Sequence, residues 1–246
     1  MLAFLLFLIG CGPTTIKKLP VPREREVQAI RLVAEGDQLL HDGKEHLAML
    51  KYLEASELNP YYELTFNKLA IAYTRLQMYY QARQSINRAI GLRRDYAYAY
   101  NTKGIIDLAD RDLRSAERSF SRAIQLEPGV PSFYINHGYT LIQSGRLEEA
   151  MAAYQRALAL DPGVLEGGRF LELTYRAEEE MPPEKYYEMA RVFAELGNLD
   201  LSLRYLGRAF SLGFSDEKRL RGDPAFRKFA EIDKFRRFLE IHGVSL

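Results

Sequence analysis

Gly145-Arg146-Leu147-Glu148-Glu149-Ala150-Met151-Ala152-Ala153-Tyr154-Gln155-Arg156-Ala157-Leu158-Ala159-Leu160-Asp161-Pro162 decides the fold. A turn glycine opens it, a proline closes it, and two alanines seven residues apart flank one large aromatic ring. Both alanines belong to ladders of constant 34-residue step: Ala48, Ala82, Ala116, Ala150 and Ala55, Ala89, Ala123, Ala157. A third ladder, Gly36, Ala70, Gly104, Gly138, has the same step. Small residues recurring this way belong to paired helices that stack on copies of themselves.

Aligned on the small residues, copies start at Ala29, Glu63, Ala97 and Pro131, giving repeats 29–62, 63–96, 97–130 and 131–164. The first helix of each carries a bulky residue three positions in (Leu32, Phe66, Tyr100, Tyr134) and the small residue four later. Two helices approach to about 8–10 Å only where such positions stay small. The second helices carry Tyr52, Ile86, Phe120 and Tyr154. Turns inside the pairs read Asp42-Gly43, Gln77-Met78, Asp110-Arg111 and Ser144-Gly145, so two of them have glycine for a positive φ. Pro60, Pro128 and Pro162 end three copies where a missing N–H costs nothing, while Arg94 takes that place in the second.

This pattern resembles the tetratricopeptide repeat (TPR) family, and residues 145–162 lie close to its consensus. The resemblance implies an all-α, right-handed solenoid of helix-turn-helix pairs whose first helices line a concave groove. Carried over by repeat position, that groove takes Val33, Asp37 and Leu40 from the first copy and Asn67, Ile71 and Thr74 from the second. It takes Tyr98, Asn101, Ile105 and Leu108 from the third, Ile135, Tyr139 and Ile142 from the fourth, and Tyr187 and Arg191 from a fifth. Asn67 and Asn101 stand one repeat apart, and an amide pair at a regular step suits a peptide backbone as well as mere exposure on a helix face. The family's clamp for a chaperone's terminal carboxylate is not matched, because Asp37, Ile71 and Ile105 occupy one of the relevant faces.

After Pro162 the period breaks. Residues 165–182 are expected to form an inserted helix or linker, and Pro182-Pro183 restarts the chain. A displaced fifth copy then spans 183–215, with Tyr186, Ala190, Phe193, Gly197, Leu206 and Ala209 in the pattern. Residues 216–246 read as a cap, in which a helical stretch opened by Asp223-Pro224 carries Phe226, Phe229, Ile232, Phe235, Phe238 and Leu239 at three- and four-residue spacing. Such a helix covers the open face of a terminal repeat.

The N-terminus carries a different signal. Met1 to Gly10 is uncharged and nearly all apolar, too short to span a bilayer, and suits the core of a signal peptide over 1–10. Leu8-Ile9-Gly10-Cys11 resembles the lipobox of bacterial lipoproteins, which implies lipidation of Cys11, the chain's only cysteine. Residues 11–28, interrupted by Pro13, Pro20 and Pro22, are then expected to form a flexible tether. Gly12, where an aspartate would retain such a protein at the inner membrane, leans toward the outer membrane facing the periplasm.

Composition narrows the classes. With 34 basic and 33 acidic residues the net charge is +1, which offers no field to draw nucleic acid, and the basic C-terminal stretch is interleaved with acids. A single cysteine excludes a disulfide within the chain. No Gly-rich phosphate loop or nucleophile elbow occurs, and His41 and His46 are spaced off one helical face, so no catalytic, cofactor or metal site is expected. The sequence reads as a non-catalytic scaffold, anchored through its lipid, that binds a peptide or helical segment of another envelope protein. The competing reading is a structural, self-associating array or an accessory subunit of an envelope transporter.

Overall fold

The computed structural model describes residues 19–165 and 181–244, and every regular element among them is a helix. Four antiparallel pairs come first: α1 (Arg23–His41) with α2 (Glu45–Leu58), α3 (Glu63–Arg75) with α4 (Tyr79–Leu92), α5 (Ala97–Ala109) with α6 (Leu113–Leu126), and α7 (Pro131–Gln143) with α8 (Leu147–Leu160). A fifth pair, α9 (Pro183–Glu195) and α10 (Leu199–Ser211), follows. Three short helices, α11 (Glu217–Gly222), α12 (Pro224–Arg227) and α13 (Asp233–Ile241), close the array.

The small residues meet large ones across each pair. A Cβ added at Gly36 would stand 2.5 Å from the Tyr52 ring, at Gly104 2.5 Å from Phe120, and at Gly138 2.9 Å from Tyr154. In the other two pairs the large partner position holds aliphatic Ile86 or Leu206, and the small position is Ala70 or Ala190. Glycine therefore accompanies a ring and alanine a branched chain, which conserves the volume of the crossing. The intra-pair turns all adopt left-handed backbone: Gly43 (φ 71°) and Gly145 (φ 76°), but also Gln77 (φ 60°) and Arg111 (φ 59°), which lack glycine's freedom.

A second device recurs on the pair surface. Arg88 lies 5.7 Å over the Phe66 ring, Arg122 5.8 Å over Tyr100 and Arg208 5.8 Å over Tyr186, each arginine 22 residues after its ring. The Tyr100 and Tyr134 hydroxyls donate to the carbonyls of Arg94 (3.2 Å) and Pro128 (3.1 Å), tying each first helix to the turn before it. These tyrosines are packing residues with a bonded polar edge.

Two expectations are corrected. Residues 23–28, placed in the tether, are the first turns of α1: Pro22 sits just ahead of the helix, and Glu24 and Glu26 lie in its first turn, where the helix dipole favours acid. The single amphipathic helix expected from Asp223 onward is two helices. The chain turns between them, Ile232 is extended, and Phe226 and Phe229 are thereby brought to 6.2 and 6.0 Å from Phe235. The fifth pair is also more than a delayed copy. Phe133, near the start of α7, packs at 5.3 Å on Tyr98 near the start of α5. Lys185, near the start of α9, instead donates to the carbonyl of Ile142 at the far end of α7 (3.1 Å). The fifth pair therefore does not continue the alignment of the first four. The inserted residues 166–180, like Cys11 and the signal segment, lie outside the described residues.

Candidate functional site

Successive first helices α1, α3, α5 and α7 approach one another directly, whereas no two second helices approach comparably among the described residues. The first helices thus form the short, inner side of the curve, and their outward stripe is the floor of a groove. On α3 that stripe reads Leu64, Lys68, Ile71, Arg75, at spacings of four, three and four, and all four are half-buried.

The structure divides the nominated residues by depth. Val33, Leu40, Asn67, Thr74, Leu108, Ile135, Tyr139, Ile142 and Tyr187 are buried. Asp37, Ile71, Asn101, Ile105 and Arg191 keep part of their surface, and Tyr98 is 45% exposed. The reason is positional. The fifth residue of each first helix faces the next first helix: the Asn136 amide donates to Asn101 Oδ1 at 2.9 Å across the joint between α7 and α5. Asn67, one repeat earlier, is 4% exposed, and its Oδ1 has no hydrogen-bond partner among the described residues. The accessible floor is therefore an apolar stripe, Leu64, Ile71, Tyr98 and Ile105, edged by the amide of Asn101.

The charged side chains on this floor are engaged by neighbouring groups. Lys68 reaches Asp37 on α1 at 2.9 Å, and Asp37 also accepts from the Tyr52 hydroxyl at 2.7 Å. Burial, and then the Asp37 carboxylate, push the Tyr52 phenol well above its ordinary range. Arg75 donates to the carbonyl of Leu40 at 3.1 Å, joining the first two pairs. Lys68 and Arg75 escape a nomination made at positions five, nine and twelve. Their signal is the i, i+7 spacing that puts them on the stripe with Ile71.

The fourth and fifth pairs differ. The Tyr139 hydroxyl (3.3 Å) and the Gln143 amide both donate to the Met181 sulfur, so the chain itself covers α7 on this side. Tyr187 and Arg191 turn toward the cap. The Tyr187 ring stacks on Phe214 at 4.5 Å beneath the Arg219 guanidinium, and its hydroxyl donates to Asp223 at 2.8 Å. Arg191 pairs with the same carboxylate at 3.2 Å. The structure does not bring these two residues alongside the groove stripe. Four of the basic C-terminal residues are likewise paired: Arg221 with Glu217, Lys228 with Glu195, Lys234 with Asp200 and Arg236 with Glu231.

Among the described residues, no group of three or more His, Cys, Asp or Glu side chains is placed to hold a metal ion. His41 and His46 lie on different helices and are exposed. No described helix is long and apolar enough to cross a membrane.

Comparison with known proteins agrees with this geometry. The tetratricopeptide repeat family model matches residues 101–164. The solved structure of Pseudomonas aeruginosa pilF superposes with a TM-score of 0.60 at 16% identity, over 90% of this chain and 91% of that one. A thermophilic TPR protein of Thermus thermophilus superposes with a TM-score of 0.55 at 18% identity, over 80% of this chain and 98% of that one. The Hsp70-Hsp90 organising protein of Plasmodium falciparum is 28% identical over 90 residues, which is 37% of this chain and only 36% of that relative's length. The described residues form an all-α array of paired helices consistent with a tetratricopeptide-repeat solenoid, followed by further C-terminal helices.

Proposed function

We propose that the protein is a non-catalytic, membrane-anchored scaffold whose concave groove binds a peptide or helical segment of another cell-envelope protein, in the assembly or regulation of an envelope complex. The observation that carries the reading is the groove floor. Tyr98 and Ile105 on α5 and Leu64 and Ile71 on α3 present apolar surface on the inner curve, beside the Asn101 amide. Apolar side chains supply affinity for a segment's own apolar face, and an amide bonds its backbone. Lys68 is neutralised by Asp37, so a terminal carboxylate of the kind chaperone-binding relatives hold meets no free clamp here.

The anchor rests on Leu8-Ile9-Gly10-Cys11. Several acyl chains on Cys11 hold a protein at a membrane stably, at about 0.8 kcal/mol per buried methylene. Gly12 favours the outer membrane, with the array facing the periplasm. Fractionation of cells carrying Cys11→Ser tests the anchor: release into the soluble fraction is expected, and retention at the membrane refutes it. Ile71→Asp with Ile105→Asp tests the groove, since both side chains keep part of their surface on its floor while packing against the core. Loss of the partner with the helical circular-dichroism signal retained is expected, and undiminished binding by the folded variant refutes the site. Concentration-dependent self-association of the lipid-free chain in ultracentrifugation, abolished by the same pair of changes, would favour the self-associating array instead.

A further inference from the structure

The second helices form the outer side of the curve, and their exposed side chains change character along the array. Leu47 and Leu50 on α2 are 51% and 55% exposed, and Tyr80 on α4 is 71% exposed. Arg114, Arg118 and Arg122 follow on α6, at steps of four along its outer side. Leu50, Gln84 and Arg118 hold the same place in successive copies, and so do Arg88, Arg122 and Arg156. Arg88 donates to the Pro60 carbonyl at 3.2 Å, Arg118 to the Ser115 hydroxyl at 2.8 Å and Arg122 to Gln125 at 3.4 Å. Among the described residues, none of these five arginines forms an ion pair with a carboxylate. The one acid on α4 or α6, Glu117, is held by Arg146 at 2.6 Å. Arg83 is engaged by Asp110 and by Asp107, a carboxylate it shares with Lys103.

We propose that this outer face rests on an anionic lipid surface, with Leu47, Leu50 and Tyr80 at the headgroup boundary and the α6 arginines on lipid phosphates, so that the groove opens away from the membrane. Exposed leucines bury apolar area at a bilayer surface, and tyrosine settles at the headgroup level. Guanidinium forks bond phosphate oxygens while their methylene stems lie on apolar surface. Anionic lipid draws such cations in, and an arginine without a carboxylate partner gives up no ion pair to reach it. An acidic protein segment would meet the arginines but leave Leu47, Leu50 and Tyr80 in water. The apolar end of the face is also the end that the anchor joins. Arg25, in the first turn of α1, donates to the Glu57 carbonyl at the end of α2 at 2.9 Å. The stretch from Cys11 to Arg23 reaches at most about 40 Å. Resting on the anchored reading, this contact adds the orientation in which the array is held. Salt screens the arginines, so washing membranes in salt keeps the Cys11→Ser fractionation a test of the anchor alone.

The test couples Cys11, the only cysteine, to a maleimide headgroup lipid in preformed vesicles, so it does not require that cells acylate it. The chain has no tryptophan, and one is introduced as Gln84→Trp on the outer face or as Tyr98→Trp on the groove floor. Energy transfer to a dansyl headgroup lipid reads how near each tryptophan lies to the surface. On vesicles of phosphatidylcholine mixed with phosphatidylglycerol, transfer from Gln84→Trp is expected to be at least twofold that from Tyr98→Trp, and on phosphatidylcholine alone the excess is expected to shrink. Arg114→Gln, Arg118→Gln and Arg122→Gln together are expected to abolish the excess, and Leu47→Gln with Leu50→Gln to lower it, with helical circular dichroism retained. Equal transfer from the two positions on the anionic vesicles, or an excess that neither set of changes lowers, overturns the proposal. So does a response of Gln84→Trp to a glutamate-rich peptide but not to anionic vesicles, which assigns the face to an acidic protein segment. Failure here leaves the lipid anchor standing, and a Cys11→Ser protein that stays on salt-washed membranes leaves this face standing.

Discussion

At the eleventh residue of the first helix, the third pair buries Asp107 and the fifth buries Phe193, and the two joints hold by opposite means. The Phe193 ring lies 5.2 Å from Tyr154 on one side and stacks at 5.3 Å on Tyr205 on the other. Asp107 bonds Arg83 on the preceding pair and Ser119, whose place in the repeat is that of Tyr205. Stacked rings bury apolar area whatever the precise angle, so that joint tolerates sliding but resists opening. Hydrogen bonds to a carboxylate are directional and fix one geometry. The same position in the repeat thus carries a stacked ring in the fifth pair and a charge cluster in the third.

Five perturbations test this contrast. The largest effect is expected from Phe193→Ala, which empties the sandwich between Tyr154 and Tyr205 and should cost about 3–5 kcal/mol in urea unfolding. Next comes Asp107→Ala, which leaves Lys103 without its carboxylate while Arg83 keeps Asp110. Because both cations are partly exposed, the loss is expected near about 2 kcal/mol, below the usual figure for a broken buried pair. Asp107→Leu combined with Lys103→Leu should stay within about 1 kcal/mol of the natural chain. A loss from that apolar swap as large as from Asp107→Ala would mean the cluster is essential to cohesion.

The fourth perturbation is alkaline pH. Burial pushes the Tyr96 phenol up to about 12, and burial with the Asp223 carboxylate raises that of Tyr187 further. Unfolded phenols ionise from about pH 10, so stability is fully present below that value and falls as pH climbs toward the folded-state values. Tyr187→Phe should flatten part of the fall in a series of denaturation midpoints between about pH 9 and 12, and an unchanged slope would show that the cap does not hold that proton. The smallest effect is expected at Gln77, whose φ of 60° suits glycine. Gln77→Gly should stabilise by about 0.5 kcal/mol, the relief of left-handed strain less glycine's greater freedom when unfolded. Thermal unfolding checks the sign.

The regular part of this fold is legible because a helix crossing enforces volume. Gly36, Gly104 and Gly138 face rings, and α3, α5, α7 and α9 begin at Glu63, Ala97, Pro131 and Pro183, where the period restarts. The all-α solenoid follows from those spacings alone. The site is less legible. Depth within a stripe depends on which neighbour covers it: Ile71 and Ile105 stay half-open, whereas Tyr139, at the same position, lies under Met181. Tyr187 and Arg191 share a repeat position with groove residues, but α9 starts beside the far end of α7, and both turn to the cap. Repeat arithmetic carries across copies in one alignment and stops at an insertion. The acidic residue in the third pair is plain in the sequence; that it draws Arg83 from the preceding pair appears only in three dimensions.

The proposal that the inner curve is the binding face can be tested at two positions. Tyr98, exposed on the floor, and Arg118, exposed on the outer helix of the same pair, differ in side but not in repeat. A photo-reactive phenylalanine at each position, in intact cells with the chain otherwise natural, compares the two faces directly. One discrete crosslinked species is expected from position 98 that is lost with Ile71→Asp and Ile105→Asp, and none in common from position 118. The same species from both positions, or a species from position 118 alone, would contradict it.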